Sequence, residues 1–251
     1  KPLRSIGIST RIRIPGRGTD VVIYFDLALD YGIKWDYIIH MNIKKAVSIA
    51  GTLSKPSKMP GYSYGLPAQR CKVGAKLAKV KGSVCSKCYA LKGFYTMYKS
   101  VRAAQEKRFH SIVKKRWVEA MVVLIEARSR KEKFFRWHDS GDLQSVEHLR
   151  RICEVARLTP GVRHWLPTRE AKILHQFKGE HGAASIPLNL TIRLSATMIE
   201  GRAPGSHPWT STVHSSKYSG WECRAYMNGN KCGSCRACWL RKVKNVSYKV
   251  H

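Results

Sequence analysis

Between residues 133 and 197 the chain switches back and forth between two hydrophobic periods, and that alternation restricts its fold more than any other feature. "KFFRWHDSGD" (133–142) reads as a short strand ending in a polar turn. "SVEHLRRICEVARLTPG" (145–161) is an amphipathic helix, with Val146, Leu149, Ile152 and Ala156 on one face and Pro160 and Gly161 stopping it. "VRHWLPTRE" (162–170) is a second strand, "AKILHQFKGEHG" (171–182) a second helix and "LNLTIRLSAT" (188–197) a third strand. A strand–helix–strand–helix–strand run implies parallel pairing through right-handed crossovers. The expected class is α/β, either part of an α/β barrel or a doubly wound sheet.

The flanks are less regular. Strands are expected at 20–29 and 45–53, a proline- and glycine-rich loop at 55–70, and one long helix over 98–130 with Val118, Met121, Val122 and Ile125 on a single face. "GRGTD" (16–20) lacks the Lys-Ser/Thr of a phosphate loop. The chain of 251 residues is long enough to bury a core without disulfides. Its expected organisation is an N-terminal strand and loop segment (1–44), an α/β unit with a cysteine loop (45–197), and a Cys-rich C-terminal extension (198–251) held in shape by metal. No stretch is long and apolar enough for a bilayer, so no membrane partner is expected. There is no signal-peptide pattern, and the chain opens at Lys1 rather than Met, which reads as a trimmed cytoplasmic protein.

Lysine and arginine number 46 against 16 aspartates and glutamates, a formal net charge of +30. A field of that size attracts polyanions. The 7 tryptophans and 11 tyrosines beside it offer rings on which bases stack. Nucleic acid, DNA or RNA, is the expected partner.

Eight cysteines without an export signal argue for metal or redox chemistry over disulfides. Cys153 stands alone on a buried helix face and reads as a small hydrophobe. The others fall into C-x13-C-x2-C (Cys71, Cys85, Cys88) and C-x8-C-x2-C-x2-C (Cys223, Cys232, Cys235, Cys238). A C-x2-C-x2-C run is crowded for one tetrahedral zinc and suits an iron–sulfur cube, in which each cysteine caps a different iron. One 4Fe–4S cluster or two are expected, with zinc as the alternative. The groups either hold separate clusters, the three-cysteine one leaving an iron open, or share one.

In parallel α/β folds, functional groups gather where strands end. The first strand end offers His138, Asp139, Ser140 and Asp142, the second Thr168, Arg169 and Glu170, the third Arg193, Ser195 and Thr197. If the strands are neighbours these form one polar mouth, with His138, Asp139, Asp142, Arg169, Glu170 and Ser195 as catalytic candidates. The plainer alternative is that Asp142 and Ser145 cap a helix and Arg169–Glu170 is a structural ion pair.

At "GSVCSKCYALKGFY", "FRWHDSGDLQS", "HWLPTRE" and "CGSCRACW" the chain resembles the bacteriophage gene product 88 family, over residues 45–240. It is also similar, more distantly, to phage proteins described as radical-SAM-like. That resemblance implies a partial TIM-like, radical-SAM-like barrel with the C-terminal extension packed on it. It further implies a cluster on Cys71, Cys85 and Cys88 whose open iron takes S-adenosylmethionine. The spacing here is wider than that superfamily's C-x3-C-x2-C, and no Gly-Gly-Glu element follows the next strand, so the barrel is implied more strongly than the SAM chemistry. Three functions are expected from these readings. The first is a phage iron–sulfur protein that binds nucleic acid, its cluster structural or redox-sensing. The second is a radical-SAM-like or reductive enzyme working at an open iron. The third is a zinc-held basic binding protein.

Overall fold

The computed structural model describes residues 11–13, 21–25 and 37–250. Three short strands, β1 (Arg11–Arg13), β2 (Val21–Phe25) and β3 (Tyr37–Met41), pair antiparallel in that order. β2 falls within the strand expected at 20–29. The rest of that stretch, and 16–20, lie outside the described residues.

The stretch 45–53, expected as a strand, is instead helical from 43 to 50. Helix α1 (Ile43–Ala50) is capped by Asn42, whose Oδ1 accepts from the Lys45 amide at 2.8 Å. Ala46 and Ala50, one turn apart, are fully buried and let the helix approach its neighbour closely. The β-branched Val47 and Ile49 made the stretch look extended; the cap and the alanine pair outweigh them.

Then follow β4 (Tyr62–Tyr64), α2 (Lys72–Leu77), the four-residue α3 (Phe94–Met97), α4 (Lys99–Ser111) and α5 (Trp117–Arg128). The helix expected at 98–130 is thus two. Arg151 donates to the carbonyls of Ile112 and Lys114 at 2.9 and 3.0 Å, satisfying groups freed where α4 stops. α5 is buried nearly all round, which is why its one-sided periodicity is weak.

The alternating run folds as expected: β5 (Phe134–Trp137), α6 (Val146–Arg157), β6 (Arg163–Thr168), α7 (Ala171–His181) and β7 (Leu190–Ile199). β8 (Thr210–His214), β9 (Trp221–Cys223) and β10 (Asn245–Lys249) complete the chain. The seven strands β4-β5-β6-β7-β8-β10-β9 form one all-parallel sheet in that order. The sheet is open, with β4 and β9 at its edges, and does not close into a barrel. Nor do residues beyond 197 merely lie against it: they supply three of its strands.

The two faces of the sheet differ. Phe135 and Trp137 of β5, Leu166 of β6 and Leu190 and Ile192 of β7 pack with α1, α5, α6 and α7 into the hydrophobic core. The alternate residues, Arg136, Trp165 and Arg193, face the segment that connects β9 to β10. Trp239 of that segment donates from Nε1 to the Phe135 carbonyl at 2.9 Å and stacks edge-on against Trp165 at 5.2 Å. No helix among the described residues is long and apolar enough to cross a membrane.

Candidate functional site

The connection after β4 is sewn onto the C-terminal ends of the next three strands. The Leu66 amide donates to the Ser140 carbonyl (2.8 Å), the Val73 amide to Glu170 Oε1 (2.8 Å), and the Ile199 amide to the Gly82 carbonyl (3.0 Å). Cys71 stands immediately before α2. Cys85 and Cys88 close a tight turn in which the Cys88 amide donates to the Cys85 carbonyl at 3.1 Å. At about three residues per turn such a pair projects to one side.

Gly74 lies between them. A Cβ there would meet Cys71 Cβ at 2.9 Å and the sulfurs of Cys71 and Cys85 at 3.5 and 3.7 Å, so two thiols converge on one bare glycine. Burial pushes the Cys71 thiol up, and the nearby Asp142, Cys88, Cys85 and Glu170 push it the same way. Burial raises Cys85 too, while Arg169 opposes it. The three cysteines and Asp142, Arg169 and Glu170 are therefore one electrostatic neighbourhood.

The carboxylates in it are fixed. Asp142 accepts from Thr168 Oγ1 (2.6 Å), the Leu143 amide (2.8 Å) and the Arg169 amide (2.9 Å). Burial still lifts its pKa to about 6 against those bonds. Ser145, not Asp142, caps α6 by accepting from the His148 amide at 3.0 Å. Arg169 Nε donates to the Ala196 carbonyl at 3.2 Å.

Cys223, Cys232, Cys235 and Cys238 form the second neighbourhood. Burial raises the Cys232 thiol, with Cys223 and Cys235 adding to it and Arg136 and Arg236 opposing. Cys238 is pushed up to about 12 by burial, and its Sγ lies 3.2 Å from Tyr248 Oη. The Cys235 amide donates to the Cys232 carbonyl at 3.0 Å, a second tight Cys-x2-Cys turn, and the Cys232 amide donates to the Lys58 carbonyl at 2.9 Å.

Arg193 belongs here and not to the mouth where the strand-end reading put it. It is fully buried and donates to six carbonyls: Cys238, Ala237, Leu240 and Val243 (all 2.9 Å), Thr210 (3.2 Å) and Lys244 (3.3 Å). It clamps the segment that carries Cys238.

The other strand-end residues divide as follows. Asp139 accepts at Oδ2 from Tyr95 Oη (3.0 Å), and its carbonyl accepts from Tyr89 Oη. Its Oδ1 is buried without a partner, close to Gly65, where a Cβ would meet it at 2.5 Å. Ser140 bonds the Leu66 carbonyl and Gln105 and pins the loop. Ser195 accepts from Ser211 at 2.9 Å, and Thr197 is exposed. His138 turns to the helical side, with φ of 52° and its ring 5.4 Å from His148; burial holds its imidazole well below the usual range. Cys153 is in the core, as its helix position implies.

Two contributors were not singled out from sequence. Arg136 lies between the two cysteine groups. Its guanidinium sits 4.6 Å over the Trp165 ring, Nη2 donates to Tyr89 Oη at 3.3 Å, and Cys232 lies within its field. Burial opposes its charge, but Tyr89, Asp139 and Tyr248 hold it protonated. Tyr95 braces Asp139. The only prior signal for Arg136 was its place in "FFRW", between two core residues of a strand.

Among the described residues no three His, Cys, Asp or Glu side chains are drawn closely enough to hold a single metal ion as they stand. The chemistry of the donor set nevertheless fits a thiolate-bound group: seven free thiols in two neighbourhoods, two tight Cys-x2-Cys turns, and a glycine at the point where two sulfurs converge. Cys71, Cys85 and Cys88 would hold one such group and Cys223, Cys232, Cys235 and Cys238 the other.

Fold and site together define an open parallel α/β protein with a cysteine loop at its strand ends and a second one on the face away from the helices. The family model of Gene product 88 matches residues 39–237, and the chain belongs to that bacteriophage family. No curated protein and no solved structure matches it.

Proposed function

We propose that this chain is an iron–sulfur protein that binds nucleic acid, with 4Fe–4S clusters held by its two cysteine groups. The observation that carries the reading is the sorting of seven thiols into two neighbourhoods at different places on one sheet, each containing a tight Cys-x2-Cys turn. The nucleic-acid part rests on the net charge of +30.

The three-cysteine group supports a second reading, a reductive enzyme. When bound there, a cluster on three thiolates leaves one iron open to an exchangeable ligand. Asp142, Arg169 and Glu170 line the same neighbourhood, where they would orient a polar substrate and hold or release a proton. S-adenosylmethionine is the ligand that the radical-SAM-like resemblance implies at such an iron.

The test is an absorption spectrum with iron, sulfide and zinc analysis on protein purified without oxygen. About eight irons and eight sulfides per chain, in a brown sample, support two cubes. Stoichiometric zinc in a colourless sample without sulfide overturns the reading and leaves a zinc-held basic protein. S-adenosylmethionine cleavage by the reduced protein separates the enzyme from the binding protein.

A further inference from the structure

The loop that carries Cys71, Cys85 and Cys88 has a second character. From 37 to 105 the chain contains no aspartate or glutamate. Between 70 and 102 it places nine lysines and arginines, and all nine are exposed. On the same loop, large apolar side chains stand in solvent: Phe94 is 70% exposed, Met97 66%, Tyr89 53% and Tyr98 50%. Side chains of this size are ordinarily covered, and a cluster of them marks a contact surface.

The aromatic rings contact one another in pairs. Phe94 and Tyr98 stack with centroids 5.7 Å apart and planes 27° from parallel. Tyr89 and Tyr95 meet edge-on at 5.7 Å, and the hydroxyls of both are tied to Asp139 at the end of β5. Gly93, at φ of 55°, makes the turn that starts α3 and lifts Phe94 outward. The result is a ledge of mutually packed rings, surrounded by positive charge and attached to the lip of the three-cysteine group through Cys88 and Tyr89.

We propose that this ledge, formed by Tyr89, Phe94, Met97 and Tyr98, is a platform for single-stranded nucleic acid. The proposal rests on the nucleic-acid reading above and assigns it a place and a strand state. Exposed ring faces stack on bases that are not already stacked in a duplex, while flanking cations follow the phosphates. The complete absence of acidic residues from the loop matches a continuous polyanion. α3 is a single turn of four residues and presents no extended apolar helix face of the kind that lies in a bilayer interface.

The experiment is a fluorescence-anisotropy titration of the full chain with labelled fifteen-nucleotide oligo-dT, oligo-rU and a duplex of the same length. Vesicles of phosphatidylserine and phosphatidylcholine form a fourth arm. Wild-type protein is expected to prefer the single strands, the dT and rU arms deciding between DNA and RNA. Phe94→Ala/Tyr98→Ala is expected to weaken single-strand binding about tenfold or more, with unchanged duplex binding and melting temperature. Lys87→Gln/Lys92→Gln is expected to flatten the salt dependence, by about 0.7 in log–log slope for each phosphate that the variant no longer neutralises. Equal binding by wild type and the aromatic variant overturns the ledge and leaves nucleic-acid binding standing. No binding to any oligonucleotide overturns both. Vesicle binding that the aromatic variant abolishes, without single-strand preference, overturns the proposal in favour of a lipid surface.

Discussion

The two cysteine groups use one kind of side chain in different surroundings. Cys71, Cys85 and Cys88 sit where strands end, on a loop fastened by its Val73 amide to the Glu170 carboxylate and by its Gly82 carbonyl to the Ile199 amide, with two carboxylates and Arg169 in range. Cys232, Cys235 and Cys238 lie on the segment between β9 and β10, and Cys223 ends the edge strand β9; Arg136 and Arg236 are beside Cys232, Arg193 beside Cys238 and Glu222 beside Cys223. Four thiolates holding a cluster would build up negative charge, and these arginines would offset it. Three thiolates would leave a coordination position beside Asp142, Arg169 and Glu170. On the proposed reading the three-thiol group, with carboxylates beside it, is the one that would keep an open position, and the four-thiol group, with more arginines beside it, the one that would be closed.

The largest expected break in that contrast comes from Arg193→Met. It removes donors to six carbonyls and should cost on the order of 5 kcal/mol in chemical denaturation. Any iron it releases should come from the second group first. Acid should act on both groups alike, through the helical core. Burial holds His148 and His164 near a pKa of about 3, with Arg151 adding to the effect at His148 and a bond to Thr159 opposing it at His164. Unfolded, both bind protons from about pH 6.5 downward, so the unfolded state takes up more protons between pH 6.5 and 3. Stability should be full above pH 6.5 and fall below it by about 1.4 kcal/mol per pH unit for each histidine. Denaturant midpoints at pH 7 and 5 measure it, and His164→Gln should flatten the slope.

The contrast is sharpened by Gly74→Ala. Alanine favours a helix by roughly 1 kcal/mol over glycine, yet here its Cβ would press on Cys71 at 2.9 Å. The expected outcome is a protein of near-normal stability that loses iron from the first group alone. Smallest is Arg150→Ala, which removes exposed ion pairs to Glu147 and Glu154 on α6. It should change stability by less than about 0.5 kcal/mol and leave both groups intact.

Legibility from sequence followed the same divide. The β5-to-β7 run could be read because its core residues keep clean periods. β8 and β10 could not, since their buried contacts are polar: Thr210 donates to Asn245 at 2.9 Å and Thr212 to Ser247 at 3.1 Å. Such ladders carry no hydrophobic signal, so the last quarter looked like an appended loop. Asp142, Arg169 and Glu170 were found because strand ends gather polar groups. Arg193 was misplaced by the same rule: its partners are carbonyls 17 to 51 residues away, and nothing local announces a clamp. The cysteine grouping was visible in the spacing alone, while the charged groups around each needed the folded chain.

The most direct measurement is iron, sulfide and the reduced-state EPR spectrum of Cys88→Ser and Cys235→Ser beside the wild type, all prepared without oxygen. Two separate clusters require each variant to keep about half the iron and sulfide, with a different EPR signal surviving in each. Complete loss of iron and sulfide from both variants, or stoichiometric zinc in the wild type, would contradict it.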